Sequence, residues 1–281
     1  MKHSYNRTAV RRGLTLLELV IVMTILVAIA GIAVTMFPRL LTRAHIATCA
    51  SNIPELARAL QMYEAVAMDG YPDRMDTLCV GEGLAGYLPG QGEALLPGIY
   101  ADALEAGEAA ALIEAGILEV TVMTAGELGV DGWHPTFWPY ASDVGFADVA
   151  EGLQVAFIEP DEAKRLALCL EGDTGPPRTG DRFVLFGLGA PCRMFGRTMT
   201  EAPTHFSDGR LGNPNERYMR FVAVYQVGEE RWDDTPDDEG NYYIALPRAR
   251  LRGVLAMHPT GLEGLTDHVG DFWSEVNSGD L

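Results

Sequence analysis

Residues 11–37 read RRGLTLLELVIVMTILVAIAGIAVTMF, and the rest of the chain is best understood outward from this stretch. Its basic residues stop at Gly13. From Leu14 to Phe37 the only charge is Glu18 and the only other polar side chains are three threonines. A helix crosses a bilayer with about 20 apolar residues, so this run of 24 is long enough. A carboxylate inside such a run costs about 2.5–3.5 kcal/mol on insertion scales, which makes Glu18 a functional candidate. A secretory signal has a core of roughly 7–15 residues followed by a small-x-small cleavage site. Here the run is longer and the glycine precedes it. A plain single-pass anchor explains the length but not a carboxylate beside the Gly13-Leu14 junction.

The order basic leader, Gly, apolar helix, with Glu at the fifth position of that helix, resembles the class III leader of type IV prepilins and type II secretion pseudopilins. The resemblance implies that a prepilin peptidase cuts between Gly13 and Leu14 and that the new amino terminus, Leu14, is N-methylated. It implies further that Glu18 serves assembly by pairing with the Leu14 amine of a neighbouring pilin or pseudopilin subunit. Leu14 stands where the family usually has Phe, and both are bulky apolar residues. The segment from Leu56 to Leu78 extends the likeness: Leu60, Met62 and Tyr63, then Asp69, Gly70, Tyr71 and Pro72, are similar to the end of the long helix in major pseudopilins. The likeness covers about residues 11–78.

Composition narrows the function classes. The chain has 281 residues and a formal charge of −18; without the four basic residues of the leader, 17 basic and 39 acidic side chains give −22. Such a surface repels nucleic-acid phosphate, so no nucleic-acid partner is expected. Basic residues concentrate before the apolar run, which argues for a cytoplasmic amino terminus, a single pass through the cytoplasmic membrane and an extracytoplasmic head. After assembly the expected location is a periplasmic or surface filament. Cys49, Cys79, Cys169 and Cys192 are even in number and contain no CxxC pair. In an oxidising compartment they suit two disulfides, with Cys49–Cys79 and Cys169–Cys192 as the preferred pairing; buried thiols are the alternative.

The expected fold class is α+β: a long pilin-like helix packed on a mixed head with an antiparallel sheet. The organisation expected is a leader at 1–13, a transmembrane helix at 14–37, an amphipathic continuation at 38–68 and a head at 69–281. Cys49, Ile53, Leu56, Leu60, Tyr63 and Ala67 step by three or four and share one helix face. Pro38 and Pro54 are expected to kink the helix, with Asn52 and Glu55 recapping it. Residues 102–115 read as a helix ending at Gly116 and residues 161–170 as a second, short one. Strands are expected at 117–123, 182–187, 218–227, 242–246 and near 251–257. In the tail Leu262, Leu265, Val269, Phe272 and Val276 fall on one helical stripe.

Candidate chemistry in the head is sparse. The loop from Glu229 to Asn241 gathers Asp233, Asp234, Asp237 and Asp238, oxygen donors suited to calcium, although the spacing is not that of an EF-hand. Major pseudopilins bind calcium near their carboxy end, so the resemblance points the same way. The alternative is a solvated hairpin loop. No other cofactor is expected. The histidines are scattered, no HExxH, GxSxG or phosphate-binding loop is present, and Gly187-Leu188-Gly189 is explained by turn glycines. Enzyme activity is not expected. Trp133, Phe137, Trp138 and Tyr140 form an aromatic cluster that reads as local core or a binding surface. Three functions remain: a structural pilus or pseudopilus subunit, a minor or tip subunit whose head binds a partner or substrate, and a membrane-tethered receptor or enzyme.

Overall fold

The computed structural model describes residues 15–67, 70–91, 94–95, 98–124, 145–159, 178, 180–205, 213–233, 240–258 and 261–277. By internal packing the chain separates into Met1–Arg43 and Ala44–Leu281. The division falls inside the first helix, α1 (Leu16–Val66). Within α1 the stretch Leu16–Val34 has a mean hydropathy of 2.7 and no buried residue, so it is apolar and long enough to cross a membrane.

α1 is continuous at both prolines, so the recapping expected at Asn52 and Glu55 does not occur. The helix runs unbroken through Pro38 and Pro54, and Asn52 and Glu55 lie inside it, Glu55 accepting a hydrogen bond from Ser51 Oγ at 3.3 Å. An interior proline costs about 3 kcal/mol. Around Pro54, Ile53, Leu56, Ala57 and Leu60 are buried. At roughly 1.5–3 kcal/mol for each large apolar side chain, that burial outweighs the proline. The expected face is buried from Cys49 to Tyr63, whereas Ala67, one residue past the helix end, is exposed.

Ten short elements follow: β1 (Met75–Asp76), β2 (Cys79–Val80), β3 (Gly83–Leu84), β4 (Gly90–Gln91), β5 (Ala94–Leu95), β6 (Ile99–Ala103), α2 (Ala106–Glu114), β7 (Glu119–Val122), β8 (Gly145–Asp148) and β9 (Gln154–Ile158). Then come β10 (Arg182–Gly187), β11 (Phe221–Asp233), β12 (Gly240–His258), β13 (Gly261–Glu263) and α3 (Leu265–Asn277). The helix expected at 161–170 lies outside the described residues, as does the aromatic cluster at Trp133–Tyr140. Residues 102–103 end a strand and are not helical. Gly116 follows the helix with φ +87°, and a Cβ there would meet the Gly70 backbone, so both handedness and close approach require glycine.

The fold is mixed α and β, with a mostly antiparallel sheet in the order β13-β12-β11-β10-β1-β7-β8; β9 pairs with both β10 and β6. Among the described strands, only β1 and β7 pair in parallel. The far edge of β10 is shared, with β9 along Phe183–Leu185 and β1 at Gly187. β10 coincides with its expected limits. The two strands expected at 242–246 and 251–257 are one strand, because Pro247 sits in a bulge: Gly228 pairs with Ala245 and Gln226 with Arg250, so four residues oppose Val227. Lacking an N–H, proline is tolerated in a strand at such an irregularity.

Period-two alternation divides the sheet between two cores. Val184, Phe186, Phe221, Ala223, Tyr225 and Val227 face the cluster that holds Cys49, Ile53, Leu56 and Leu60 of α1 and Leu112 of α2. Phe183, Leu185, Val222 and Val224 face a second cluster with Leu78, Tyr87, Leu88 and Tyr218. Burial on both faces explains why these strands read as continuous apolar runs.

Candidate functional site

Glu18 lies in the first turn of α1, and its surroundings are local. The Thr15 backbone N–H donates to Glu18 Oε2 at 2.8 Å and Thr15 Oγ1 lies 3.0 Å from the same oxygen. The Glu18 N–H points back to Thr15 Oγ1 at 3.3 Å. This is a reciprocal capping box, Thr at the N-cap and Glu three residues on. It satisfies two of the donors that every helix start leaves without a partner, and it places a negative charge at the positive end of the helix dipole. The sequence TLLE carries that signature, and reading Glu18 only as a charge in search of a partner overlooked it. Both bonds fall on Oε2. Gly13 and Leu14 lie outside the described residues.

Among the described residues, the preferred Cys49–Cys79 disulfide is not formed. Cys49, Cys79 and Cys192 are buried reduced thiols, and Cys169 lies outside the described residues. Cys49 faces the core on the α1 side of the sheet and Cys79 the core on the other, so the sheet itself keeps the preferred pair apart. Burial pushes the Cys79 and Cys192 thiols up to about 12. Cys49 Sγ instead lies 2.6 Å from His205 Nδ1.

The acidic loop is only partly described. β11 and β12 pair outward as far as Asp233 opposite Gly240, so residues 234–239 join two antiparallel strands. Asp234, Asp237 and Asp238 lie outside the described residues. Among the described residues, no group of three or more His, Cys, Asp and Glu side chains is placed to hold a metal ion.

Three buried polar clusters escaped the sequence reading. In the first, Tyr218 donates to Asp76 Oδ2 at 2.5 Å, while Asp76 Oδ1 is buried without a hydrogen-bond partner. Burial raises the Asp76 carboxyl to about 7 against the opposing pull of Tyr218 and Arg220. Gly187 and Gly189 belong to this cluster and are not turn glycines: a Cβ at Gly187 would meet the Tyr218 phenol, and one at Gly189 the Asp76 carboxylate.

In the second cluster, fully buried Glu108 forms an ion pair with Arg182, whose Nε lies 2.6 Å from Oε1, and accepts hydrogen bonds from Tyr243 Oη at 2.8 Å and the Glu105 N–H at 2.9 Å. Arg182 also stacks over Phe157, 4.4 Å from the ring centre. The ion pair and the two hydrogen bonds account for the burial of Glu108, so this is a tie between α2, β10 and β12.

The third cluster assembles four histidines from distant parts of the head. His45 and Cys49 are one turn apart on α1, His205 precedes β11, His258 ends β12, and His268 lies in the first turn of α3. The His205 ring centre is 5.3 Å from that of His258 and 5.9 Å from that of His268. Glu263 of β13 faces both partners, Oε1 at 3.3 Å from His258 Nδ1 and Oε2 at 3.5 Å from His268 Nδ1. Burial, followed by the neighbouring histidines, lowers His205 to about 3. His268 is also lowered, chiefly by burial, although Asp271 and Asp267 pull the other way. The only sequence signal was the four-residue spacing of His45 and Cys49.

No family model, no characterised protein and no solved structure matches this chain.

Proposed function

We propose that this chain is a pilin-like structural subunit of a type II secretion pseudopilus or a type IV pilus. In this reading a prepilin peptidase removes residues 1–13, Leu14 is N-methylated, and the helix beginning there anchors the subunit in the cytoplasmic membrane with its head outside. The observation that carries it is the pairing of an uncovered apolar stretch, Leu16–Val34, with one carboxylate held at its first turn. The capping box gives Glu18 a second task beside assembly. Oε2 serves the chain's own helix start, and Oε1 is the oxygen offered to the Leu14 amine of a neighbour. Pairing of that kind offsets the cost of a charge in an apolar bundle and sets the axial stagger of adjacent helices.

The test is Glu18→Ala. A helix used only as an anchor loses a costly carboxylate and inserts equally well or better. A filament subunit leaves the neighbour's amine unpaired, a loss of about 3–5 kcal/mol. Filament formation should therefore fail while membrane fractionation stays normal, and mass spectrometry of the mature protein should find N-methylated Leu14. Normal filaments, or an intact leader, would falsify the assignment.

A minor or tip subunit is the second reading, and one observation favours it. Of the stripe expected in the tail, Leu262 is buried in β13, but Leu265 and Val269 on α3 are exposed, as is Trp273 one further turn on. An uncovered apolar helix face of this kind suits a head that docks onto a partner.

A further inference from the structure

β1 is held unequally by its two neighbours. Toward β7 the ties are many: the Arg74 N–H donates to Glu119 O at 2.7 Å, the Thr77 N–H to Thr121 O at 3.0 Å, and Thr121 Oγ1 to Arg74 O at 2.9 Å. Asp73 Oδ1 accepts the Leu118 N–H at 2.7 Å, and Arg74 Nε lies 2.6 Å from Glu119 Oε2. Toward β10 the register holds one pair, Asp76 opposite Gly187. We propose that this seam between β1 and β10 is a proton-operated latch. It stays shut while Asp76 is a neutral acid and opens when Asp76 ionises, β1 moving with β7 and β8.

Three features of the seam fit a latch, whatever the chain assembles into. The carboxyl that closes it is half satisfied: Tyr218 Oη donates to Oδ2 at 2.5 Å, while Oδ1 of this fully buried residue meets no donor. A neutral acid tolerates such surroundings better than a carboxylate, whose buried charge needs its lone pairs filled. Secondly, the seam is tight. A Cβ at Gly187 would strike the Tyr218 phenol and one at Gly189 the Asp76 carboxyl, so bulk water reaches Oδ1 only if the seam widens.

Thirdly, the strand is strained at both ends. Arg74 (φ +63°) and Leu78 (φ +62°) bracket β1, and among the described residues they are the only non-glycine positions with positive φ. Such conformations persist where the surroundings over-determine them. Arg74 is held from β7 and β8, by Glu119 and by the Phe146 ring, whose centre is 4.2 Å from its guanidinium carbon. Leu78 is held from β10, its side chain against Gly187. Residues at the ends of an element absorb the backbone change at a hinge. Asp73 supplies the pivot: Arg193, just beyond β10, donates its N–H to Asp73 O at 3.0 Å and pairs through Nη1 with Oδ2 at 2.8 Å.

The groups that act on Asp76, or that it acts on, are Tyr218 and Arg220 before β11, Tyr87 after β3 and Cys192 after β10. Tyr218 and Arg220 favour the carboxylate, but burial outweighs them and raises Asp76 to about 7. Burial keeps Tyr87, Tyr218 and Cys192 protonated near neutral pH, so among these groups it is Asp76 that changes charge there. The shut seam holds the proton up to about pH 7, and an open, hydrated one releases it near the ordinary 3.8. Between those values the open fraction rises about tenfold per pH unit, and above them it levels off.

The experiment is native-state amide exchange of the full chain in detergent micelles from pH 4.5 to 8, corrected for the intrinsic rate at each pH. Protection at Asp76 and Gly187 should fall about tenfold per unit up to about pH 7 and then stay level. Arg74 and Thr77, bonded to β7, should keep theirs, as should Ala223 and Tyr225 in the middle of the sheet. In Asp76→Asn the fall should vanish. Protection at Asp76 and Gly187 that ignores pH in the wild type would overturn the proposal, and that measurement needs no variant to fold. An equal fall at Thr77 or Tyr225 would overturn it too, because the opening would not then be at the seam. The same slope in Asp76→Asn would show that another group carries the proton, and would overturn it equally.

Discussion

The phenol of Tyr218 reaches across 142 positions of sequence to donate a 2.5 Å hydrogen bond to Asp76 Oδ2, and both residues are fully buried. That single bond leaves the other carboxylate oxygen without a partner. The cost of the charge therefore exceeds what Tyr218 and Arg220 return, and the group holds its proton up to about pH 7.

Stability should consequently fall with rising pH over a defined window. The unfolded chain releases the Asp76 proton near pH 3.8 and the folded chain only near 7. Between those values the native state binds more protons, so each pH unit removes up to about 1.4 kcal/mol. The contribution is fully present below the unfolded value and lost once pH has passed the folded one. Asp76→Asn should flatten this part of the profile. Thermal melts of both proteins from pH 4 to 8 check it, and parallel profiles would reject the assignment.

Glycine is required beside this pair by space. Gly187→Ala and Gly189→Ala should each destabilise by about 1–3 kcal/mol, because the added methyl enters the Tyr218 phenol or the Asp76 carboxylate. Gly86→Ala, with nothing within 4 Å of its Cβ, should stay within about 0.5 kcal/mol. Denaturant midpoints at constant slope provide the comparison.

The thiols give a redox prediction. Alkylation under denaturing, non-reducing conditions should label Cys49, Cys79 and Cys192, while the native protein should protect all three through burial and, for Cys79 and Cys192, suppressed ionisation. Peptide mass spectrometry reads each site. A Cys49–Cys79 cross-link would require the two faces of the sheet to exchange side chains.

Removing the helix cap should be felt locally. Thr15→Val deletes the oxygen facing the Glu18 N–H and should cost about 1 kcal/mol, whereas Thr15→Ser should be nearly neutral. Amide exchange in micelles should accelerate at residues 16–19 in the valine variant alone. Uniform exchange across α1 in all three proteins would show that the box does not hold the first turn.

Much of this architecture was legible in the sequence where a single period dominated. The face from Cys49 to Tyr63 repeats every three or four residues, and β10 is an apolar run between charged and glycine boundaries, so both emerged with nearly the right limits. Pro247 misled in the opposite direction: it reads as a strand boundary, but a bulge absorbs it within β12. The preferred Cys49–Cys79 pairing is not seen because even count and compartment say nothing about which face of a sheet a residue occupies. Asp76 with Tyr218, and His205 with His258 and His268, are joined only by folding, and no local pattern announces them. Thr15-x-x-Glu18 was legible but was masked by the charge, which drew attention to a distant partner when the nearest one was three residues away.

The uncovered apolar stretch of α1 also restricts kinetics. Thirteen large apolar side chains between Leu16 and Val34 are 49–83 % exposed in the chain itself. At roughly 1.5–3 kcal/mol each, wetting them all would cost tens of kcal/mol. No thermal fluctuation crosses such a barrier on a useful timescale, so the helix has no free aqueous intermediate. Any change of surroundings has to proceed as a handover, each side chain leaving one apolar contact only as the next is made.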